Sequence, residues 1–390
     1  MPKLIAFTSN CFGEDRSAAL IACELRNLLK DDEEFEVGGA SLISDGGDYT
    51  RREISLLFSS SIPPSGGFPT RSIHGFFQDL ASGGIANVFR FQKTLRKFES
   101  SILCAVVVGD VPLLFLTRCA LRKIPIIFLS LPKSDYIEPH YPIEEWYIRR
   151  SCDALLTRDA FTAENFKRKG LQVNFLGNPI VDELDPVPTD FLWEPGIPTV
   201  GILPGSREEA YHNLFSIAGV ALRVSQARKT RFLAALPSTL AEEEIAGKAV
   251  ENGWQIRKEY FTILSRENCD IVLTRGIFPN VLHWSDVVIG LAGTANEQAA
   301  ALGKPVVAFT GTGPQTTRKR IEEQNRLLGE ALCFAKEGPE EAAETVIRLL
   351  DQPEERTRRG SAGIERMGQP GASQAIARYL YDHYMRRHSS

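Results

Sequence analysis

Residues 199–221 read TVGILPGSREEAYHNLFSIAGVA, and within this stretch the spacing of apolar residues changes from that of a strand to that of a helix. Residues 199–203 are a short apolar run typical of a buried strand, and Pro-Gly-Ser at 204–206 predicts a turn. From residue 210 to 221 apolar residues recur at helical spacing. A strand, a glycine turn and a helix in this order form half of a βαβ unit, so the stretch predicts an α/β fold with a parallel sheet.

The turn of this stretch has two interpretations. A helix start presents unpaired N–H groups and the positive end of the helix dipole, Gly205 lets a ligand approach the backbone, and Arg207 adds a fixed charge. These features favour a phosphate site made by Gly205, Ser206 and Arg207. The alternative is that Ser206 only caps the helix, with Glu209 completing a capping box.

The composition is that of a globular protein without an evident metal site. The chain has 390 residues, 43% of them apolar, which is enough for two or three domains, and a formal net charge of −4 gives no indication of nucleic-acid binding. Its seven cysteines form no CxxC pair, which argues against a zinc site and a disulfide framework. Because no apolar run approaches the ~18 residues of a membrane helix, we expect a cytoplasmic protein.

Strand-like and helix-like segments alternate along both halves of the chain, which predicts two doubly wound parallel sheets. Prolines at 186, 188, 195 and 198 mark a boundary between the halves. We therefore expect an N-terminal domain at residues 1–182, a hinge at 183–198 and a C-terminal domain at 199–368. Residues 369–390 are expected to form a C-terminal helix that returns to the N-terminal domain.

Acidic residues follow two strands of the first half, where open α/β sheets bind ligands. Asp110 ends the apolar run ILCAVVVG, and Glu14 and Asp15 come after a first strand and Gly13. Each has a structural alternative, because Asp110 and Asp15 are also good helix N-caps. Gly13 leaves room for a ligand or for the facing domain.

A second glycine loop lies at residues 290–293, between a strand and a helix start. Gly293 and Thr294 offer backbone N–H groups to a phosphate, and the carboxylate of Glu297 suits the two hydroxyls of a ribose. The alternative for Glu297 is a capping box with Thr294.

Residues 73–98 combine aromatic and basic side chains in the pattern of an interfacial helix. Phe76, Phe77, Phe89 and Phe91 are its candidate lipid-facing residues. The alternative is an ordinary helix with a core face and a solvated face.

Two motifs of the second half resemble a known family. LPGSREEA at 203–210 and GTANEQAAALGKPVVAF at 293–309 resemble the carboxy-terminal domain of GT-B glycosyltransferases, in particular the lipid-A-disaccharide synthases and their related proteins. The chain departs from the synthase pattern at Asn178 and Ala210, where the synthase has His and Glu. The resemblance therefore specifies the fold better than the acceptor.

This resemblance implies a GT-B architecture, with two Rossmann-like domains facing across a cleft, and a hexosyl- or N-acetylhexosaminyl-transferase activity. The donor would be a nucleotide-sugar, most often UDP-linked, and the acceptor a lipid or a lipid-linked molecule at the inner membrane face. No cofactor or metal is implied. The implied binding residues are Gly205, Ser206, Arg207, Gly293 and Thr294 for the diphosphate, Glu297 with Gln298 for the ribose, and the loop of Arg275 and Ile277 for the base.

The family also implies an inverting mechanism, in which a carboxylate of the first domain removes a proton from the acceptor. Asp110 matches the family's aspartate, Glu14 and Asp15 are the reserve candidates, and Gly13 and Asn178 are expected at the domain interface. Two other functions fit the same fold, a UDP-sugar 2-epimerase and a non-catalytic module that binds sugar nucleotides.

Overall fold

The computed structural model describes residues 2–10, 12–60, 84–189, 191 and 196–386. Packing divides the chain into two units, one made of Met1–Asp182 with Pro370–Ser390 and the other of Glu183–Gln369. Residues 183–198, expected to form a hinge, fall within the second unit. Each unit is built around its own sheet, so the fold is α/β with two Rossmann-like domains.

The first unit has a parallel sheet in the order β3-β2-β1-β4-β5-β6. Its described strands are β1 (Lys3–Ser9), β2 (Phe35–Ser41), β3 (Ser55–Phe58), β4 (Ile102–Gly109), β5 (Ile126–Ser130) and β6 (Ala154–Thr157). Its described helices before the chain crosses to the second unit are α1 (Phe12–Leu28), α2 (Gly47–Arg51), α3 (Gly84–Phe98), α4 (Val111–Ala120), α5 (Pro142–Ser151) and α6 (Ala160–Arg168). The order reverses between β1 and β4, which opens a crevice at their carboxyl ends.

Alternating residues of the first strand explain the helical layers on both faces of this sheet. Ile5 and Phe7 belong to the core shared with α1, whereas Leu4 and Ala6 belong to the core shared with α3 and α4. A strand buried on both faces reads as a continuous apolar run, as Ile102–Gly109 does.

The second unit has an eight-stranded sheet in the order β14-β13-β12-β7-β8-β11-β10-β9. Its strands are β7 (Thr199–Leu203), β8 (Arg231–Leu236), β9 (Gln255–Lys258), β10 (Thr262–Arg266), β11 (Cys269–Arg275), β12 (Val287–Gly290), β13 (Val306–Phe309) and β14 (Leu332–Ala335). Its described helices are α7 (Ala210–Ala227), α8 (Glu242–Glu251), α9 (Phe278–Trp284), α10 (Thr294–Ala301), α11 (Arg318–Leu328), α12 (Pro339–Asp351) and α13 (Pro353–Met367). The order reverses between β7 and β12.

The end of the chain packs on the first unit through helix α14 (Ala372–Leu380), which continues as a π-helical turn at Tyr381–Met385. The carboxylate of Asp182 accepts the backbone N–H groups of Gly371 and Ser373, both at 2.7 Å. These bonds satisfy the unpaired donors at the start of the helix. A side chain at Gly177 (φ +102°) would meet the Ala372 Cβ at 2.7 Å, so a glycine is needed there.

Two local features differ from what their sequence pattern indicates. Residues 173–176 are mostly apolar, which is typical of a strand, but they form only the single bridge between Leu156 and Asn174. Their apolar character has another cause, because Leu171 and Val173 enter the core from a loop. The antiparallel hairpin of β9 and β10 is not evident in the sequence, since its half-exposed residues carry no clear alternation.

Candidate functional site

Three glycine loops meet at the carboxyl edge of the second sheet. They follow β7, β12 and β13, which lie side by side, and the crevice between β7 and β12 is where such sheets hold ligands. A Cβ added to Gly205 would lie 3.2 Å from the Leu291 carbonyl oxygen, and one added to Gly311 would lie 2.9 Å from the Leu291 side chain. The loops at residues 204–209, 291–293 and 310–316 therefore form one surface, which we call the glycine-loop site.

The first loop does not contain the capping box that was the alternative to a phosphate site. Helix α7 begins at Ala210, and its N-cap is Glu209, which makes no side-chain capping bond. Ser206 lies four residues before the helix, too early for a cap, because a further turn is inserted between strand and helix. Its side chain is exposed, and its carbonyl oxygen accepts a hydrogen bond from the Thr239 hydroxyl at 3.0 Å. Arg207 is half-buried in the same loop.

Asn213, on the first turn of α7, holds two of the loops together. Its amide nitrogen donates to the carbonyl oxygens of Pro204 (3.3 Å) and Thr312 (3.2 Å), and its amide oxygen accepts the Thr312 N–H at 2.9 Å. The side chain is fully buried. Sequence reasoning missed this residue and the third loop, although the glycines of TGTG at 310–313 were a signal.

The second loop also lacks the capping box that was the alternative to a phosphate site. Gly293 is the N-cap of α10 and Thr294 its first residue, so Glu297 is the fourth residue of the helix, one position beyond the one at which an acid completes a capping box. Glu297 is half-buried, whereas Gln298 is buried.

Two side-chain amides hold the second loop in place through hydrogen bonds. Gln324 of α11 donates to the Gly293 carbonyl oxygen at 2.9 Å and accepts from the Asn296 amide, also at 2.9 Å. Asn296 in turn packs against Gly290, where an added Cβ would lie 1.9 Å from the Asn296 Oδ1 atom. Only glycine fits at position 290.

The loop after β11 combines a tethered side chain with an accessible backbone. The guanidinium of Arg275 donates to the carbonyl oxygens of Pro237 and Leu240, both at 2.6 Å. Arg275 therefore fixes the neighbouring loop. Gly276 follows with φ +73°, and Ile277 is the N-cap of α9.

In the first unit, the three candidate carboxylates have different environments. One carboxylate oxygen of Asp110 accepts the Leu113 N–H at 3.0 Å. Asp110 is therefore the N-cap of α4, as the structural alternative predicted for this residue. Asp15 is the fourth residue of α1 and lies within the helix, so the alternative role of an N-cap is wrong. Its buried carboxylate instead accepts the hydroxyls of Ser9, Ser41 and Ser44. That geometry anchors the strand ends and leaves little capacity for proton transfer.

Glu14 has the environment of a general base. The pKa of its carboxyl is raised to about 7, chiefly by burial; the negative charges of Asp110 and Asp15 add to the shift, and a backbone hydrogen bond and Arg158 oppose it. Arg158, buried and bonded to the Leu131 carbonyl oxygen, was not anticipated from the sequence. A carboxyl with a pKa near neutrality suits proton abstraction at physiological pH.

Ser130, His140 and Asp135 form a further chain of side chains at the end of β5. His140 lies 3.1 Å from the Ser130 hydroxyl and 3.0 Å from the Asp135 carboxylate. Ser130 is only 1% exposed, and the N–H of the next residue, Leu131, donates to the Gly109 carbonyl oxygen. A substrate has no access to this serine, so the chain of bonds stabilises the loop at residues 131–140.

Gly13, Asn178 and the aromatic residues are the remaining expected positions. Gly13 has no heavy atom within 4 Å of an added Cβ, and Asn178 is buried in the first unit, where it caps the turn Pro179–Val181. Phe76 and Phe77 lie outside the described residues. Phe91 is buried in the core, so its expected contact with lipid is wrong, whereas Phe89 is 66% exposed. Within the described ranges, no helix is long and apolar enough to cross a membrane, and no cluster of three metal-ligating residues occurs.

The chain is similar in sequence to curated lipid-A-disaccharide synthases. It is 27% identical to that of Geobacter sulfurreducens over 257 residues, which cover 59% of this chain and 62% of the relative. It is 25% identical to that of Myxococcus xanthus over 323 residues, covering 78% and 74%. The chain thus spans about three fifths of the length of the first of these relatives. No protein-family model matches it.

Solved structures share the fold over nearly the whole chain. The UDP-GlcNAc 2-epimerase of Neisseria meningitidis, solved with UDP-GlcNAc, superposes with a TM-score of 0.59 at 14% identity, covering 97% of this chain and 100% of that one. The glycotransferase of kitacinnamycin superposes with a TM-score of 0.61 at 14% identity, covering 98% and 100%. These likenesses establish the GT-B fold expected from the sequence.

The raised pKa of Glu14 predicts a specific dependence of stability on pH. Between pH 4.5, the ordinary pKa, and about 7, the folded protein holds a proton that the unfolded chain has lost, so the free energy of unfolding falls as pH rises through this window. Glu14→Gln removes this loss, and the variant should gain stability over the wild type across the window, by at most about 3 kcal/mol. Urea denaturation at several pH values measures the difference, and a difference independent of pH would contradict the raised pKa.

Proposed function

We propose that this chain, a GT-B protein similar to lipid-A-disaccharide synthases, is an inverting glycosyltransferase. It moves a hexosyl or N-acetylhexosaminyl group from a UDP-linked donor to a lipid or lipid-linked acceptor. The observation that carries the proposal is the convergence of three glycine loops where the strand order of the second sheet reverses, between β7 and β12. The first unit adds the carboxyl of Glu14, with its pKa of about 7.

The donor binds at the glycine-loop site. Gly205, Ser206 and Arg207 contact the diphosphate from one loop, and Gly293 and Thr294 contact it from the start of α10. The helix dipole and the guanidinium compensate the charge of the leaving diphosphate, so the reaction is proposed to need no metal. Glu297, at the end of the first turn of α10, binds the ribose hydroxyls together with Gln298, and the backbone of residues 275–278 faces the nucleobase.

The acceptor is activated in the first unit. Its hydroxyl oxygen attacks the anomeric carbon, Glu14 takes the hydroxyl proton, and the bond from that carbon to the diphosphate oxygen breaks. A single displacement inverts the anomeric configuration. We assign the base role to Glu14 ahead of Asp110, because an oxygen of Asp110 is engaged as a helix cap, and ahead of Asp15, which is held by three serines.

The alternative is a UDP-sugar 2-epimerase, the activity for which the structurally similar protein of Neisseria meningitidis is named. One assay separates the possibilities. The purified chain is incubated with UDP-GlcNAc alone and with a bacterial lipid extract. We expect UDP release only when lipid is added. Interconversion of free UDP-sugars would indicate the epimerase, and binding without turnover in either mixture would indicate a non-catalytic module.

Glu297→Ala should weaken donor binding about tenfold or more, since hydrogen bonds to a charged group contribute ~1.5–3 kcal/mol. Glu297 makes no capping box, so the melting temperature should change little. Calorimetric titration with UDP, with Glu297→Gln as the control that keeps one acceptor oxygen, measures the loss. Unchanged affinity in the alanine variant would remove the ribose assignment.

The two carboxylates near the first-unit crevice should respond differently to substitution. Glu14→Gln should lower turnover by ~10²–10⁴-fold, the usual contribution of a general base. Asp110→Asn keeps the helix cap, because asparagine caps as well as aspartate, and should retain most of the turnover. Since the charge of Asp110 raises the pKa of Glu14, this variant should also shift the acidic limb of the pH–rate profile to lower pH. Loss of turnover in Asp110→Asn alone would move the base role to Asp110.

Contact with a membrane is proposed through one face of the first unit. Neighbouring helices α3, α4 and α5 expose the large apolar side chains Phe89, Phe115, Ile143 and Trp146. Helix α3 carries four exposed cations and no acid, and Arg150 lies over the Trp146 ring at 5.3 Å. Apolar side chains bordered by cations suit an anionic lipid surface.

Charging this face should abolish binding to lipid. The double variant Phe89→Glu and Trp146→Glu should fail to sediment with phosphatidylglycerol vesicles, whereas the wild type should sediment. Tyr260→Glu is the matched control, because Tyr260 is 84% exposed but belongs to the second unit. Equal sedimentation of all three proteins would contradict the proposed surface.

A further inference from the structure

A cavity lies at the amino ends of the strands of the second sheet, opposite the glycine-loop site. It has a volume of about 310 Å³ and is formed where β12 and β13 begin, beneath the first turns of α13. Its lining includes Asp286, Lys304, Arg356, Thr357 and Ser361. The volume is at the lower end of the range for small-molecule sites.

Lys304 is a cation with spare hydrogen-bonding capacity in this cavity. Its ammonium group donates to the His283 carbonyl oxygen at 3.1 Å, which uses one of three N–H donors. Burial lowers the pKa of Lys304, the nearby Asp286 carboxylate opposes that shift, and the guanidinium of Arg356 adds to it. An anion bound here would restore the stability of the charged form.

The single acid of the cavity wall is already engaged by the protein. One oxygen of Asp286 accepts the Thr199 N–H at 2.9 Å, at the start of β7, and the other lies 3.6 Å from the Arg356 guanidinium. Two cations and one acid leave the lining with a net positive charge. Arg356 is fixed in place, because it also donates to the carbonyl oxygens of Leu349 and Leu350.

We propose that this cavity binds a phosphate group, either free phosphate or a small phosphate monoester, between Lys304 and Arg356. Arg356 supplies a planar donor pair and Lys304 a point charge, a combination suited to an oxyanion. The volume leaves room for a small organic substituent on the phosphate. The site is independent of the proposed transferase reaction, since the elements that form it lie at the amino ends of the strands.

The reactivity of Lys304 toward an amine-acetylating reagent tests the proposal on the full chain. A lysine with a lowered pKa is acetylated faster than an ordinary one, and mass spectrometry reports each lysine separately. Inorganic phosphate should slow acetylation of Lys304 severalfold at millimolar concentration. Chloride at equal ionic strength should not slow it, and neither salt should change Lys319, which is exposed. Glycerol phosphate, tested in parallel, distinguishes a monoester site from one that accepts only free phosphate.

A variant at the cavity mouth provides a second test that does not risk the fold. Thr357 is exposed on α13, so Thr357→Asp places a carboxylate beside the site and should abolish protection by phosphate, while the neutral Thr357→Asn should retain it. Arg207→Ala, in the glycine-loop site, should not affect protection of Lys304. Acetylation of Lys304 that does not respond to either phosphate compound, or protection that persists in Thr357→Asp, would overturn the proposal.

Discussion

The buried amide of Asn213 is the interaction on which the candidate donor site depends. A parallel sheet brings its carboxyl ends to one edge but does not fix how the following loops lie against each other. Asn213 does so for two loops that are far apart in the chain, through three hydrogen bonds to Pro204 and Thr312. Gly205 and Gly311 then lie against Leu291, which adds the third loop. The backbone N–H groups of the site are thus pre-positioned by the core of the second unit.

Glu14 and Asp15 show how neighbouring carboxylates on one helix acquire different chemistry. Burial raises the pKa of Asp15 as well, but its side chain turns toward the strand ends, where three serine hydroxyls donate to it and oppose that shift. Glu14 has no such set of hydroxyl donors, so burial, with the charges of Asp110 and Asp15 adding to it, raises the pKa of its carboxyl to about 7. The separation of roles arises from the direction of each side chain, one position apart on the helix.

The local parts of the fold could be predicted from the sequence, and the long-range parts could not. Residues 199–203 are a strand as expected, because an apolar run before a glycine turn is a local signal. The two capping boxes considered as alternatives to ligand sites are absent, because the start of a helix is decided by how the loop packs against its neighbours, and both helices begin at other positions than the boxes require. The partners of Asn213, Gln324 and Arg158 come from other elements, and no spacing in the sequence indicates them. The parallel part of each sheet followed from alternation alone, whereas the antiparallel strands β9 and β10 and the difference between Glu14 and Asp110 did not.

The three glycine loops are proposed to bind the diphosphate of a UDP-linked donor, and the transferase function depends on this binding. Backbone hydrogen exchange measured by mass spectrometry, with and without UDP, tests it most directly, because the loops lie in separate peptides. We expect slower exchange with UDP in peptides that cover residues 204–209, 291–296 and 310–316, and no change around residues 353–364. Binding of UDP without protection of these three loops, or with protection confined to the first unit, would contradict it.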